Sequence, residues 1–357
     1  MSEIKAVQKD EYIMAITLHD VAKLAGVSVG TASQALNNNP KVTEETRSRV
    51  LDAARTLGYV VKERHSYLLQ KTPEISVIGI LVKHDVGEPA LANPFYSHII
   101  SGIETECRKL DIGLMVSSIE VDPQNRPVEW PAMLNNQMVG GLIFLGTQLE
   151  ATAFTARQKL NVPTILIDSY ATDFPFDSIL TDNYQGAELA MHHLLNLGHN
   201  RIALLGSQAG CVPSIAERRK AYLDIMKERG LFDERLIANS KLSRPEVHRE
   251  TLALLKKHPD ITALFACNDD TAAGAMTAAQ ELGLNVPQDI SIIGFDNIAL
   301  AAELSPPLTT IHVHKNWMGI LGVRFLLERA AHPEKPKTST LVSTQLVIRE
   351  STAPPRQ

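Results

Sequence analysis

Residues 17–37 read TLHDVAKLAGVSVGTASQALN, and this run predicts two short helices joined by a tight turn. Thr17 is a suitable N-cap for the first helix, and the Asp20 carboxylate lies where it favours the positive end of the helix dipole. Gly26 fits the end of that helix, because helices commonly close on a residue with a left-handed backbone. Ser28 can then cap the second helix.

This order of elements is that of a helix-turn-helix, whose second helix enters the major groove of DNA with its first residues at the base edges. A third helix is predicted after a cap at Thr43. Residues 1–72 carry ten Lys or Arg and eight Asp or Glu, whereas the whole chain has a net charge of −5. The positive excess therefore lies where a DNA-binding segment needs it. A helical hairpin that only packs on another part of the protein has the same spacing, so the spacing leaves both interpretations open.

From Ile75 onward, short apolar runs alternate with segments of helical periodicity. Continuous apolar strands between helices are typical of a parallel sheet covered on both faces. The roughly 280 residues of this pattern exceed one comfortable core, so two α/β lobes are expected. The predicted strands are Ile75–Val82, Ile112–Ser117, Gly141–Leu145, Pro163–Ile167, Arg201–Leu205, Ile261–Ala266 and Ser291–Phe295.

Other classes of protein are disfavoured by what the sequence lacks. The cysteines Cys107, Cys211 and Cys267 are odd in number and widely spaced, so we expect neither a disulfide framework nor a zinc site. No nucleotide-binding glycine motif and no nucleophile elbow occurs, so we expect no enzyme, no cofactor and no metal. The first residues are polar, and no apolar run reaches the roughly 18 residues that a membrane helix needs. We therefore expect a cytoplasmic protein without a membrane partner.

The identities of the residues, beyond their spacing, narrow the choice between a helix-turn-helix and a helical hairpin. The strings DVAKLAGVS at 20–28, VTEETR at 42–47 and LGY at 57–59 closely resemble the head of the lactose/galactose repressor (LacI/GalR) family. The resemblance implies a DNA-binding transcriptional regulator with a small all-α helix-turn-helix head and an α/β two-lobed sensor domain. It also implies a set of DNA-contacting residues, namely Thr17, Ser28, Val29, Gly30, Thr31, Ser33, Gln34 and Asn37.

Two departures from the family pattern concern DNA recognition. Gln34 stands at a position where the family usually has an Arg. An Arg side chain pairs with guanine, whereas a Gln side chain pairs with adenine. A contact of Gln34 with a DNA phosphate is an equal alternative. In the segment after the head, Leu68 aligns with the leucine that wedges into the minor groove, and His65 replaces an alanine. We expect Leu68 to insert into DNA.

The sequence pattern and the resemblance together predict the domain boundaries. Residues 1–15 are a polar leader, 16–61 the helix-turn-helix domain, 62–73 a hinge and 74–357 the sensor domain. Within the sensor, the N-lobe is expected at about 74–180 and 312–340, and the C-lobe at about 181–311 and 341–352.

The sensor resembles a periplasmic sugar-binding fold with its ligand between the lobes. The strings NPFY at 93–96, ERRKAY at 217–222, ACNDD at 266–270 and IGFDN at 293–297 carry this part of the resemblance. An Arg fork and carboxylates suit hydroxyl groups, and aromatic rings suit the apolar face of a sugar. The effector-binding residues implied are Phe95, Tyr96, Asp168, Arg218, Asn268 and Asp296.

The expected partners are operator DNA, a small-molecule effector and a second copy of the chain. A sugar is the expected effector, and a nucleobase or another metabolite is the alternative. Because each of two half-sites on the operator binds one helix-turn-helix domain, we expect a homodimer. A cytoplasmic sugar-binding protein without a DNA-binding role remains the other interpretation.

Overall fold

A computed structural model describes residues 16–36, 39, 41–57, 59, 75–85, 93–134, 138–174, 176–208 and 210–356. The predicted leader at 1–15, the hinge at 62–73, and the expected DNA contacts Asn37 and Leu68 lie outside the described residues. The chain divides into two compact units, residues 1–70 and 71–357.

The first unit contains three helices, α1 (Leu18–Ala25), α2 (Val29–Leu36) and α3 (Glu44–Leu57). The Thr17 backbone N–H and hydroxyl both donate to Asp20 Oδ2, at 2.8 and 2.6 Å. Gly26 closes α1 with φ of 67°, as its position predicts. The three helices enclose a small core of Val21, Ala22, Ala25, Ala32, Ala35, Val42, Val50, Ala53 and Ala54. The predicted helix-turn-helix is therefore present.

The second unit is built on two six-stranded sheets. The first sheet has the order β11-β5-β4-β3-β1-β2, and all its described pairs are parallel. Its strands are β1 (Val77–Asp85), β2 (Gly113–Val121), β3 (Gly141–Leu145), β4 (Thr164–Ile167), β5 (Asp177–Thr181) and β11 (Ser339–Val342).

The second sheet has the order β12-β10-β9-β8-β6-β7, and only β12 runs antiparallel to its neighbour among the described strands. Its strands are β6 (Ile202–Leu205), β7 (Ile237–Ala238), β8 (Ala263–Ala266), β9 (Ser291–Asp296), β10 (Thr309–Val313) and β12 (Thr344–Val347). The two predicted α/β lobes are therefore confirmed, each with one mostly parallel sheet.

Helices cover both sheets. They are α4 (Pro94–Lys109), α5 (Glu150–Leu160), α6 (Asn183–Asn196), α7 (Pro213–Glu228), α8 (Arg244–Lys257), α9 (Asp269–Glu281), α10 (Ala299–Glu303) and α11 (Lys315–Ala331). Among the helices described, none combines the length and the hydropathy needed to cross a bilayer.

The chain passes between the lobes at three places. The passages are at Asp182 between β5 and α6, at His314 between β10 and α11, and at Ser343 between β11 and β12. They lie one to two residues beyond the approximate lobe boundaries predicted from the sequence.

Helices α4 and α11 of the first lobe cross with almost no space between their backbones. A Cβ atom on Gly102 would lie 2.1 Å from the carbonyl oxygen of Asn316. A Cβ atom on Gly319 would lie 2.1 Å from the carbonyl oxygen of Ile99. The two helices can therefore approach this closely only because both have a glycine, which lacks a Cβ atom, at the crossing.

Candidate functional site

Helix α2 turns a face of polar and small residues outward. Ala32 and Ala35 pack into the core, whereas Val29, Gly30 and Gln34 are exposed. Val29 keeps 41% of its surface. Positions one helical turn apart share a face, so these exposed residues form one surface with Ser33.

The remaining predicted DNA contacts support the helix ends. The Ser28 Oγ accepts the backbone N–H of Thr31 at 3.1 Å and lies 2.8 Å from the Thr31 hydroxyl. At the start of α1 the direction is reversed, because the Thr17 backbone N–H donates to Asp20 Oδ2. These contacts fix the first turn of α2, where a recognition helix meets base edges.

A cavity of about 320 Å³ lies in the second unit, and all six predicted effector residues line it. Its walls come from the carboxyl ends of strands in both sheets, where ligands of open parallel sheets bind. Asp168 follows β4 with φ of 60°, and Asp296 ends β9 with φ of 100°. Both side chains therefore depend on left-handed backbone turns that are uncommon outside glycine.

Arg218 and Asp296 form the charged centre of the cavity. The Arg218 Nη2 lies 3.2 Å from Asp296 Oδ1, without the geometry of a hydrogen bond. Its Nε donates to Asn183 Oδ1 at 2.9 Å and its Nη1 to the Cys267 carbonyl at 2.5 Å. The guanidinium also lies 3.6 Å from the centroid of the Phe295 ring. The protein therefore binds most of the N–H groups of the Arg218 guanidinium, and the others remain available to a ligand.

The opposite wall carries a Tyr–Asp pair. The Tyr96 hydroxyl donates to Asp168 Oδ2 at 2.8 Å. Burial raises the pKa of Asp168 to about 6, against the lowering effect of the Tyr96 hydrogen bond. Burial and the nearby Asp168 charge raise the pKa of Tyr96 well above its usual value. Asp168 is therefore a carboxylate near neutral pH that still has acceptor capacity for a ligand.

Phe95 and Asn268 are placed by helix starts. Asn93 caps α4 by accepting the Phe95 N–H at 2.9 Å, and this sets Phe95 edge-on to Tyr96 with ring centroids 5.4 Å apart. The Oδ1 of Asn268 accepts the Thr271 N–H at 2.8 Å and so caps α9. Part of the acceptor capacity that the sequence assigned to a ligand is therefore already used.

Several residues of the site were not assigned from the sequence. Asp269 is fully buried, accepts the Ile298 N–H and the Thr310 hydroxyl, and has its pKa raised to about 7 by burial and by Asp296. Lys315 donates to the Asp296 carbonyl, and burial lowers its pKa. Asp269 lies within the ACNDD string at 266–270 that resembles the family, and this adjacency was the available signal. Lys315 offered none, because it comes from an element far along the chain.

Family comparisons match both units. Residues 17–61 match the sequence model described as "Bacterial regulatory proteins, lacI family". Residues 191–352 match the model described as "Periplasmic binding protein-like domain".

Three relatives match nearly end to end. The HTH-type transcriptional regulator DegA of Bacillus subtilis is 31% identical, over 96% of this chain and 99% of the relative. The ribose operon repressor of Haemophilus influenzae is 30% identical, over 94% and 98%. The HTH-type transcriptional repressor PurR of Aliivibrio fischeri is 32% identical, also over 94% and 98%.

Two solved structures share the fold. The lac repressor dimer bound to operator and the anti-inducer ONPF aligns with a TM-score of 0.64 and 27% identity, over 95% of this chain and 100% of the other. A transcriptional regulator from Enterococcus faecium with bound ribose aligns with a TM-score of 0.66 and 28% identity, over 78% and 100%.

Proposed function

The chain belongs to the LacI family of bacterial regulatory proteins, and we propose that it represses transcription from an operator under the control of a bound sugar. The relatives are transcriptional regulators and repressors, not enzymes. The proposal that an effector binds in the cavity rests on Asp296 Oδ1, a buried oxygen that accepts no hydrogen bond from any described residue. A buried acceptor without a donor is costly, and a ligand hydroxyl in the cavity removes that cost.

Helix α2 is the proposed reading element. Val29 offers methyl groups to a thymine methyl, and the Gln34 amide offers a donor and an acceptor to adenine. Gly30 adds no side chain, so the backbone can approach the groove closely. Thr31 and Ser33 are proposed to contact the phosphate backbone or to position the helix. Thr17 and Ser28 hold the ends of their helices, and contacts by Asn37 and Leu68 remain predictions.

The chemistry of the cavity favours a hydroxyl-rich, uncharged effector. Asp168 and Asp296 present carboxylate oxygens, which accept hydrogen bonds from adjacent hydroxyl groups. Asp269 adds a third carboxyl group behind them, so an anionic ligand meets like charge. The Phe95 and Tyr96 rings supply an apolar wall. Ribose in the Enterococcus faecium structure is a ligand of this class.

A nucleobase is the second candidate, because one relative is the HTH-type transcriptional repressor PurR. A purine base has few donors and a large flat face. The cavity has more acidic acceptors than such a base can satisfy, and its two aromatic rings meet edge to face. The sugar is therefore preferred.

The effector acts by preferring one arrangement of the two lobes, since a ligand shifts an equilibrium only by its differential affinity. Coupling between two sites in one protein is typically about 1–3 kcal/mol. We further propose a homodimer, as the lac repressor structure is described, and a cytoplasmic location with the DNA that it reads.

The test measures operator affinity with and without sugar. An operator is first selected from random duplexes, and fluorescence anisotropy then gives its Kd alone and with ribose, glucose, galactose or hypoxanthine. Tyr96→Phe and Asp168→Asn should keep the sugar-free Kd and reduce the response. Tyr184→Phe is the matched control, because its hydroxyl bonds Asp224 at 3.0 Å outside the cavity.

Two outcomes contradict the proposal. Salt-insensitive binding, or no binding, to every duplex refutes the repressor function, because phosphate contacts make affinity fall with salt. A full sugar response in both cavity variants refutes the assigned effector site. Arg218→Ala is less informative here, because it leaves Asp296 buried without its cation and costs about 3–5 kcal/mol of stability.

A further inference from the structure

Lys315 is a buried cation at one of the three passages between the lobes. It is the first residue of α11, directly after the passage at His314, and only 4% of its surface is exposed. An ammonium group buried this far is costly unless hydrogen bonds satisfy its donors. The acceptors that Lys315 contacts therefore show what this position requires.

The three N–H donors of the Lys315 ammonium group meet three backbone carbonyl groups. Nζ donates to the carbonyl of Asp296, to that of Asn297 at 3.3 Å and to that of Val313 at 3.4 Å. Val313 is a near neighbour in the chain, whereas Asp296 and Asn297 lie at the end of β9 in the second lobe. A side chain of the first lobe therefore binds the backbone of the second lobe.

The turn that Lys315 binds also carries a proposed effector-binding side chain. Asp296 and Asn297 have φ of 100° and 50°, so two successive residues other than glycine are left-handed. Such a backbone persists only where its surroundings hold it, and Lys315 binds both of its carbonyl groups. The Asp296 side chain lines the effector cavity, whereas Lys315 is not part of the described cavity wall. Lys315 and a ligand therefore act on the backbone and on the side chain of the same residue.

In the first lobe, Lys315 begins a long and closely packed helix. Helix α11 has 17 residues, and its Gly319 lies against the backbone of α4 at the crossing described above. The Lys315 Nζ is also 5.8 Å from the centroid of the Phe95 ring, which belongs to α4 and lines the cavity. Because close-packed elements transmit a displacement instead of absorbing it, α4 and α11 follow a movement of Lys315.

We infer that Lys315 is the positioning residue through which effector binding at Asp296 changes the angle between the lobes. This inference rests on the proposed sugar-controlled function. A hydroxyl group that binds the Asp296 carboxylate shifts the turn, and the carbonyl groups of the turn move Lys315 and the start of α11. The effector then has a different affinity for the two lobe arrangements, as coupling to the operator requires.

The test separates sugar affinity from the response at saturation in Lys315→Met. Ribose, glucose and galactose are each added until the operator Kd no longer changes. Coupled sites typically change each other's affinity about 5–150-fold, and Lys315→Met should reduce the saturated change in operator Kd to about twofold or less. A residue that only supports the turn would weaken sugar binding and leave the saturated response intact, because more sugar compensates for weaker binding.

Arg324→Met is the matched control, because Arg324 is a cation of the same helix whose described partner lies in its own lobe. Its Nε donates to the buried Glu106 of α4 at 2.7 Å. This variant should unfold at a lower urea concentration than the wild type and keep the saturated response. The control therefore separates a general loosening of α11 from loss of the contact between the lobes.

Hydrogen exchange of the wild type tests the inference without a variant. The Met318 amide makes the first hydrogen bond of α11, to the His314 carbonyl at 3.0 Å, and Met318 is not part of the described cavity wall. A saturating sugar should change its exchange rate about threefold or more, because exchange reports local opening.

The outcomes distinguish the inference from the proposed function. An unchanged Met318 exchange rate, or a full saturated response in Lys315→Met, overturns the role of Lys315 and leaves the repressor function standing. A wild-type operator Kd that responds to none of the three sugars overturns the sugar-controlled function and the inference with it.

Discussion

Single residues in the proposed effector cavity show how burial sets the acid–base state of the site. Asp168 and Asp269 are both buried, and burial raises their pKa values to about 6 and about 7. In the unfolded chain both carboxyl groups titrate near the ordinary value of 3.8. These residues are therefore maintained at a cost in stability near neutral pH.

Asp168→Asn should reveal that cost. The amide keeps an acceptor for the Tyr96 hydroxyl but cannot ionise. Between about pH 4 and pH 6 the unfolded wild-type chain loses the Asp168 proton while the folded chain keeps it. The unfolding free energy of the wild type minus that of Asp168→Asn should therefore fall by about 2 kcal/mol over this range and level off above about pH 7.

Urea titrations at pH 4.5, 5.5, 6.5 and 7.5 measure this difference. Subtracting the variant removes the opposing effect of His199, whose pKa is lowered by burial. A difference that is constant with pH contradicts the burial of the Asp168 carboxyl group.

Gln34 permits a second test at the residue scale. If its amide reads adenine, Gln34→Ala should cost about 1–3 kcal/mol on the selected operator and relax preference at one base pair only. Anisotropy titrations on every single-base variant of the operator measure this. A uniform loss on all duplexes, with a smaller salt slope, instead assigns Gln34 to a phosphate.

At the scale of elements, the α4–α11 crossing depends on two glycines. Gly319→Ala places a methyl group against the Ile99 carbonyl, where no side chain can yield. The expected loss is about 3 kcal/mol or more, because overpacking of a rigid backbone contact forces the helices apart. Thermal melts of the second unit measure it.

Gly30→Ala is the matched control for that substitution. Gly30 also lies in a helix, but the nearest atom to its added methyl group is Ser28 Oγ at 3.8 Å. Alanine should therefore stabilise the first unit by up to about 1 kcal/mol. Equal effects of the two substitutions contradict the close α4–α11 approach.

The strands also show which secondary-structure elements could be predicted from the sequence. Continuous apolar runs predicted β1, β3, β4, β6, β8 and β9, because a strand buried on both faces needs no polar residue. The strands β5 (Asp177–Thr181), β7, β10 (Thr309–Val313), β11 and β12 were missed, and β5 and β10 are rich in polar residues. Asp177 is buried in β5, where Arg329, 152 residues away, donates to it at 2.7 Å and the Thr338 backbone N–H donates to it at 3.0 Å.

The site divides in the same way. Five of the six effector residues were assigned from local strings and Asp168 from its place after the predicted strand Pro163–Ile167, and the structure brings all six to one cavity. The sequence did not identify the groups that contact these residues, because only the fold brings such distant groups together. These groups are Asn183, Lys315 and the Cys267 carbonyl. The left-handed turns at Asp168 and Asp296 were equally invisible, since neither residue is a glycine.

For the whole molecule, the division into two units predicts separate responses to its two partners. A ligand stabilises only the unit that binds it, by RT ln(1 + [L]/Kd), or about 2.7 kcal/mol at one hundred times Kd. Calorimetric scans should therefore show the effector raising the melting transition of the second unit and operator DNA raising that of the first. A single transition that moves as one with either partner contradicts independent unfolding of residues 1–70 and 71–357.

The strand pairing of β11 and β12 has a consequence for how the protein is made. Ser178 of β5 pairs with Ser339 of β11, 161 residues later, and β12 borders the second sheet just beyond. A nascent chain on the ribosome therefore exposes one incomplete edge on each lobe until residues 339–347 have emerged. Exposed edges pair readily with other chains, so the sensor is open to mispairing until these last two strands have emerged, well after the residues of the first unit.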